Sequence, residues 1–159
     1  MTMHTACLGL GSNLNDPVNQ IKKALSTIKN TPEMSVISIS SLYQTPPVGP
    51  VQPDFINCVI MLKTSLSAHA LLKWGLTLEE MHQRVRLERW GPRTLDVDVL
   101  FYDECIIKTE ALTLPHPELE NRPFWLIPLA EIAPKWILPN GEQVSHYVKK
   151  WNTAGITPC

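Results

Sequence analysis

An α+β fold, a small and largely antiparallel sheet with helices packed on it, is what this sequence predicts, and three observations predict it. Segments of strand and of helix periodicity follow in the order strand, helix, two strands, helix, two strands, helix. The strand-like segments are short and several are nearest neighbours in the chain, which points to antiparallel hairpins rather than long parallel crossovers. The chain has 159 residues, 44% of them hydrophobic and 18% charged, enough for one core and one domain spanning 1–159.

Thr5 to Leu10 is apolar and runs into Gly11-Ser12-Asn13, a first strand ending in a turn. The Gly9-x-Gly11 pair resembles the start of a dinucleotide fingerprint, but Leu14 stands where the third glycine belongs and that reading fails. Asn15 or Asp16 before Pro17 opens a helix in which Val18, Ile21, Leu25 and Ile28 recur at helical spacing. Met34 to Gln44 reads as one strand leading into a loop with four prolines. Phe55 to Leu62 is apolar on both faces, as a central strand is. Asn57 near its start either caps a neighbouring turn or reads hydrogen-bonding groups on a ligand. Ser67 opens a second helix with Leu71, Leu72, Leu78 and Met81, weakened locally by Gly75.

After Pro92 the apolar residues fall at Leu95, Val97, Val99 and Phe101, a strand whose second face carries Asp96 and Asp98. A tight turn at Asp103-Glu104 leads to Cys105-Ile106-Ile107 as hairpin partner. Residues 113–123 form a Pro-rich connector. Within it His116, between Pro115 and Pro117, has a fixed backbone and little core around it, which favours a functional role over a structural one. Phe124 to Ile132 reads as helix, broken or restarted at Pro128, and an amphipathic stretch through Val148 closes the fold. Trp125, Trp136 and Trp151 read as packing residues.

The formal net charge of -1 provides no general pull toward nucleic acid or anionic lipid, so any anion site is local. Four scattered cysteines, without a Cys-x-x-Cys pair or a His at ligand spacing, argue against a zinc site or a disulfide framework and fit reduced thiols in the cytoplasm. No leader-like segment or membrane-length apolar run is present. Fourteen prolines mostly punctuate the periodic segments, so the loops read as ordered.

The chemistry concentrates in residues 84–98, where Arg84, Arg86, Arg89 and Arg93 run into Asp96 and Asp98. Side chains two apart on a strand point the same way with Cα atoms roughly 6.5–7 Å apart, a spacing suited to a shared hard cation and unfavourable for two bare charges. Arginine forks suit phosphate oxygens, and Mg2+ takes one or two carboxylates and fills its other positions with water and substrate phosphate. The combination points to a polyphosphate with Mg2+; the plainer alternative is that the arginines neutralise the aspartates on a solvated edge.

Residues 89–100, Arg-Trp-Gly-Pro-Arg-Thr-Leu-Asp-Val-Asp-Val-Leu, closely resemble the signature of the 6-hydroxymethyl-7,8-dihydropterin pyrophosphokinases of the folate pathway. Gly-Ser-Asn at 11–13, Thr-Pro-Pro-Val-Gly at 45–49, Pro-Asp-Phe-Ile-Asn at 53–57, Pro-His at 115–116 and Asn-Arg-Pro-Phe at 121–124 resemble that family's other blocks, across nearly the whole chain. The resemblance implies a ferredoxin-like sheet with helices on one side, and transfer of pyrophosphate from ATP to the pterin hydroxymethyl group with release of AMP. It implies two Mg2+ ions on Asp96 and Asp98, and Arg84 and Arg93 on the moving pyrophosphate. Thr113, His116 and Arg122 would contact the nucleotide, with Trp90 covering the site. Phe55 and Phe124 would stack on the pterin, Asn57 would read its edge, and Thr45, Pro46 and Val48 would complete the pocket. A monomer is expected, with no nucleic-acid or membrane partner.

The chain departs from the family pattern in three places. Gln83 stands where the family usually has Gly, the stretch from Arg84 to Trp90 is one residue shorter than in the best-known form, and Ala111 stands where a nucleotide-contacting Arg can occur. Two other classes compete on residues alone. Asp-x-Asp also serves nucleotide-sugar transferases, for which the chain is short. Arginines beside Trp90 resemble an RNA-binding surface, but an aromatic strand and a basic charge are missing.

Overall fold

The computed structural model of the chain describes residues 2–84, 92–138, 140–148 and 155–159, with the side chains of 147 and 148 outside that description. In chain order the elements are β1 (His4–Ser12), α1 (Pro17–Lys29), β2 (Met34–Ile39), β3 (Tyr43–Thr45), β4 (Phe55–Thr64), α2 (Ala68–Met81), β5 (Asp96–Tyr102), β6 (Ile107–Lys108), β7 (Thr113–Leu114), a 3-10 turn (Leu119–Asn121), α3 (Pro123–Ile132), α4 (Val144–Val148) and β8 (Thr157–Pro158).

The main sheet runs β5-β1-β4-β3-β8, with β2 sharing one edge of β4 with β3, and its pairings are antiparallel. β4 is central, as its two-faced apolar sequence predicts. The single strand expected over Met34 to Gln44 is instead two, β2 and β3. Ser40 makes the break: its N–H donates to the Val59 carbonyl while its hydroxyl accepts from Val59 N–H, both at 2.9 Å, so a side chain replaces part of the ladder.

One face of the sheet packs under α1 and α2. Leu8 and Leu10 of β1, Cys58, Ile60 and Leu62 of β4, and Val97 and Val99 of β5 meet Ile21, Ala24 and Ile28 of α1 and Leu71 and Leu78 of α2 in one buried cluster. Ser67 caps α2, its hydroxyl accepting from Ala70 N–H at 3.1 Å. Gly75 lets α2 approach β5 closely: a Cβ there would lie 3.1 Å from Val97 Cγ1.

Helices cover the opposite face as well, where the resemblance implies only one covered side. There Cys7, Val59, Met61, Leu100 and Phe101 meet Trp125, Leu126 and Leu129 of α3 and Val144 of α4. Phe101 belongs to this second cluster, not to the Val97 and Val99 face where simple alternation puts it. The register slips opposite Cys7 and Leu8, leaving Leu100 as an extra residue, and that bulge turns Phe101 over. α3 also continues through Pro128, which removes one helical N–H without ending the helix, since its buried side chains hold it to the sheet. The segment after the Asp103 turn pairs with β7 in a separate two-stranded sheet rather than with β5.

Candidate active site

On β5 the alternation predicted from the sequence holds at Asp96 and Asp98. Val97 and Val99 enter the α1 and α2 core, so the two carboxylates point to the α3 side. β1 places Gly11 beside Asp96 and Gly9 beside Asp98, and the same glycines face Asn57 and Val59 across β4. A Cβ at Gly11 would lie 2.6 Å from Asn57 Oδ1, and one at Gly9 would lie 2.7 Å from Trp125 Nε1. The glycine pair that looks like a broken dinucleotide motif is therefore a strand stripped of side chains so that Asn57 and Trp125 can close over it.

The result is a cleft of about 320 Å³. Arg84, Arg93, Asp96 and Asp98 lie along one part of it. Thr45, Pro46, Val48, Phe55, Asn57 and Phe124 line it as well, with His116 beside Asp98 and Arg122 beside Phe124. Gly11 and Trp125 also line it, and sequence reasoning missed both. Thr113 pairs with Lys108 in the small sheet and is not part of the lining. Trp90, Arg86 and Arg89 lie outside the described residues.

Arg84 and Arg93 converge on Asp96, each taking one oxygen at 2.8 Å. Arg84 also pairs with Glu79 at 2.8 Å, and only 7% of its side chain is exposed. Glu79, buried near the end of α2, accepts from Val97 N–H at 2.8 Å, so one carboxylate braces both the arginine and the strand between the two aspartates. Nothing in its local sequence, a Glu-Glu pair on a helix, marks that role.

α2 ends by delivering Arg84. Gln83 N–H donates to the Glu80 carbonyl and Arg84 N–H to the Glu79 carbonyl, the bonding of a Schellman cap, with Gln83 at φ 58 in the left-handed position. Glycine occupies that position at least strain, so Gln83 stands there at a physical cost.

Arg93 is held differently. Asn13, 2% exposed, donates its N–H to the Arg93 carbonyl at 3.0 Å and accepts the Arg93 N–H on Oδ1 at 2.8 Å. Its amide group donates to Gln52 Oε1 and to the Pro53 carbonyl, both at 2.9 Å. Asn57 donates to Thr45 Oγ1 at 2.6 Å, a bridge from β4 to β3 rather than a turn cap.

Asp98 carries the least comfortable charge. Burial and the neighbouring Asp96 push its carboxyl well above the usual range, against the pull of Arg122 and Arg93. His116, hung from β5 by its N–H on the Leu100 carbonyl at 2.8 Å, lies 4.0 Å from Asp98 Oδ1 through Nε2. Its Nδ1 accepts from Glu118 N–H at 3.1 Å, which places the proton of the neutral ring on Nε2. Burial and Arg122 lower its pKa to about 4, so the ring is neutral at pH 7. Trp125 supports both neighbours: its ring meets His116 edge-on at 4.6 Å and lies under the Arg122 guanidinium at 4.7 Å.

Among the described residues no group of three His, Cys, Asp or Glu side chains is placed to hold a metal ion. The donor set at Asp96 and Asp98, two adjacent carboxylates with one strongly disfavoured as an anion, fits a hard cation that takes most of its ligands from water and phosphate.

Residues 7–134 match the sequence profile of the 7,8-dihydro-6-hydroxymethylpterin-pyrophosphokinase (HPPK) family. A Haemophilus influenzae protein named 2-amino-4-hydroxy-6-hydroxymethyldihydropteridine pyrophosphokinase is 44% identical over 94% of this chain and 94% of its own length. A Synechocystis protein of the same name is 38% identical over 98% of this chain and 80% of its own. Among solved structures, wild-type Plasmodium falciparum HPPK-DHPS with pteroate matches at a TM-score of 0.74 and 14% identity, covering 94% of this chain. This chain spans 44% of that longer protein, and the likeness there is one of fold.

Proposed function

Because this chain belongs to the 7,8-dihydro-6-hydroxymethylpterin-pyrophosphokinase family and transfers pyrophosphate from ATP to the hydroxymethyl group of 6-hydroxymethyl-7,8-dihydropterin, releasing AMP, we propose that the cleft between β5, β3 and α3 is where the transfer takes place. The observation that carries this reading is the meeting, in one cavity, of three arginines and two adjacent aspartates with an aromatic and amide-bearing pocket.

Asp96 and Asp98 would hold Mg2+, two ions in our reading, and the metal would supply charge neutralisation for phosphate oxygens. The protein's own part is alignment and charge. Arg84 and Arg93 present guanidinium groups beside the carboxylates, where negative charge shifts as the bond from the β-phosphorus to the AMP oxygen breaks and the bond to the pterin oxygen forms. His116, neutral, donates from Nε2 without adding a charge, and Arg122 supplies the charge beside it. Phe55 and Phe124 give flat apolar faces for the pterin, and Asn57, fixed by Thr45, reads its polar edge. Thr113 and Trp90 remain proposed nucleotide contacts on the resemblance alone.

We also read the chain as one cytoplasmic, monomeric domain. The single domain is supported by one sheet that takes strands from His4 to Pro158; the four cysteines are free, and no helix among the described residues is long and apolar enough to cross a membrane. Product analysis tests the site: with ATP, Mg2+ and the pterin, wild-type protein should yield AMP and Asp98→Asn almost none. Equal AMP from both would place the chemistry elsewhere.

A further inference from the structure

α3 and β3 carry opposite walls of the pocket assigned above to the pterin. Arg122 and Phe124 stand at the N-terminal end of α3, and Thr45, Pro46 and Val48 at the end of β3 and just beyond it. Neither element is strongly self-supporting. β3 is three residues long, pairing with β4 over Tyr43–Thr45 and with β8 at Tyr43 and Gln44. α3 contains Pro128, which has no N–H to give the Phe124 carbonyl. Both elements rest on β4, but a second cavity of about 450 Å³ lies against the walls, so direct packing between them does not fill the gap. This cavity shares Thr45, Pro46, Val48, Arg122 and Phe124 with the cleft and is bounded by Ile156 beside β8.

One side chain joins the two elements. Glu131, in the last turn of α3, accepts from Tyr43 Oη at 2.6 Å, from Ser41 Oγ at 2.9 Å, and from Ser41 N–H with its two oxygens at 3.0 and 3.1 Å. The residue is exposed, yet both oxygens are engaged. Burial would raise its pKa, but the bonds from Tyr43 and Ser41 outweigh that and hold it below the usual range. Tyr43 is buried and pairs with Asn57 in the β3 and β4 register, and Thr45, two residues on, receives the Asn57 amide.

We propose that Glu131 is a positioning residue for pterin binding: a clamp between the C-terminal turn of α3 and the start of β3 that fixes the gap between the Phe124 wall and the Thr45–Val48 wall. This rests on the pterin assignment of the cleft. Glu131 does not line the cleft and acts through Ser41 and Tyr43.

The test titrates Glu131→Gln and Tyr43→Phe calorimetrically with 6-hydroxymethyl-7,8-dihydropterin, in the presence of a nonhydrolysable ATP analogue, and separately with the analogue alone. Each variant should bind the pterin about tenfold more weakly, with nucleotide affinity unchanged. The double variant should lose less than the sum of the two single losses, since both changes act on the bond between Tyr43 and Glu131. Asn57→Ala and Phe124→Ala report on the pocket itself. If those two lose pterin affinity and the clamp variants do not, the clamp is overturned. If none of the four loses it, the pterin assignment falls and takes the clamp with it. A lower Tm with unchanged pterin affinity, or equal loss of both ligands, makes Glu131 a structural tie only and also overturns the proposal.

Discussion

The two faces of the sheet are built from the same strands and do opposite things. On the α1 and α2 face, β1, β4 and β5 contribute Leu8, Leu10, Cys58, Ile60, Val97 and Val99, all buried among apolar side chains. One residue along each strand, the other face carries Gly9, Gly11, Asn57, Asp96 and Asp98. Stability and chemistry are thus written on alternate positions of one stretch of backbone, at a spacing of one residue. The difference teaches that adjacent substitutions should fail in unrelated ways.

The sharpest break in that comparison is at Asp98. Asp98→Asn removes a charge that Mg2+ would bind, an effect worth several kcal/mol or roughly a thousandfold in turnover. It also removes a charge that burial and Asp96 disfavour, so the folded protein should become more stable at pH 7. Turnover and Tm measured on one preparation check both signs. A fall in Tm would mean that Asp98 is needed to hold the fold.

Leu8→Ala, on the other face, should do the reverse. A fully buried leucine lost from the core costs about 2–5 kcal/mol, while turnover per folded molecule stays near wild type. Denaturant unfolding beside active-site titration separates the two quantities. Its neighbour Gly9→Ala tests the boundary, because the new Cβ meets Trp125 Nε1 at 2.7 Å. Overpacking should cost about 1–3 kcal/mol and displace the ring that supports His116 and Arg122, so nucleotide affinity should fall as well. If it does not, Trp125 is packing alone, as its sequence context reads.

The faces should also differ in acid. His116, lowered to about 4, is neutral in the fold down to that pH, while the unfolded chain takes up its proton from about 6.5 downward. The unfolded state binds more protons across that window, so this histidine makes stability fall as pH drops from about 6.5 to 4. Asp98, shifted up, works in the opposite direction. Subtracting the Tm profile of His116→Asn from that of wild type isolates the histidine, and a flat difference would refute the shift. The smallest effect is at the end of α2. Gln83→Gly relieves a left-handed residue and should add about 1 kcal/mol with little change in turnover.

What the sequence showed of this arrangement was whatever depends on neighbours along the chain. The period of α1, the Ser67 cap, the two-faced apolar run of β4 and the alternation that put Asp96 and Asp98 together are all local patterns. What it hid depends on partners far away. The bulge at Leu100 is fixed by β1, the strand break at Ser40 by β4, and the persistence of α3 through Pro128 by the sheet beneath it. The cleft divides the same way. Asp96, Asp98 and the arginines beside them could be named from their spacing and the aromatic residues from their resemblance to the family's motifs, whereas Glu79, Gly9 and Trp125 acquire meaning only from Val97, Arg84, the Asn57 row and each other.

The attachment of Arg84 and Arg93 has a consequence for how the cleft tolerates substitution. Arg84 is fixed by the cap on α2 and by Glu79; the Arg93 backbone is fixed by Asn13 at the end of β1. The two anchors belong to different parts of the fold, one at the end of α2 and one at the end of β1. Loss of the Asn13 side chain should therefore loosen Arg93 while leaving Arg84 on Glu79, and loss of the Glu79 side chain should do the converse. The two guanidinium groups thus meet at Asp96 from separate supports, so damage to one support leaves half of the charge geometry of the cleft in place.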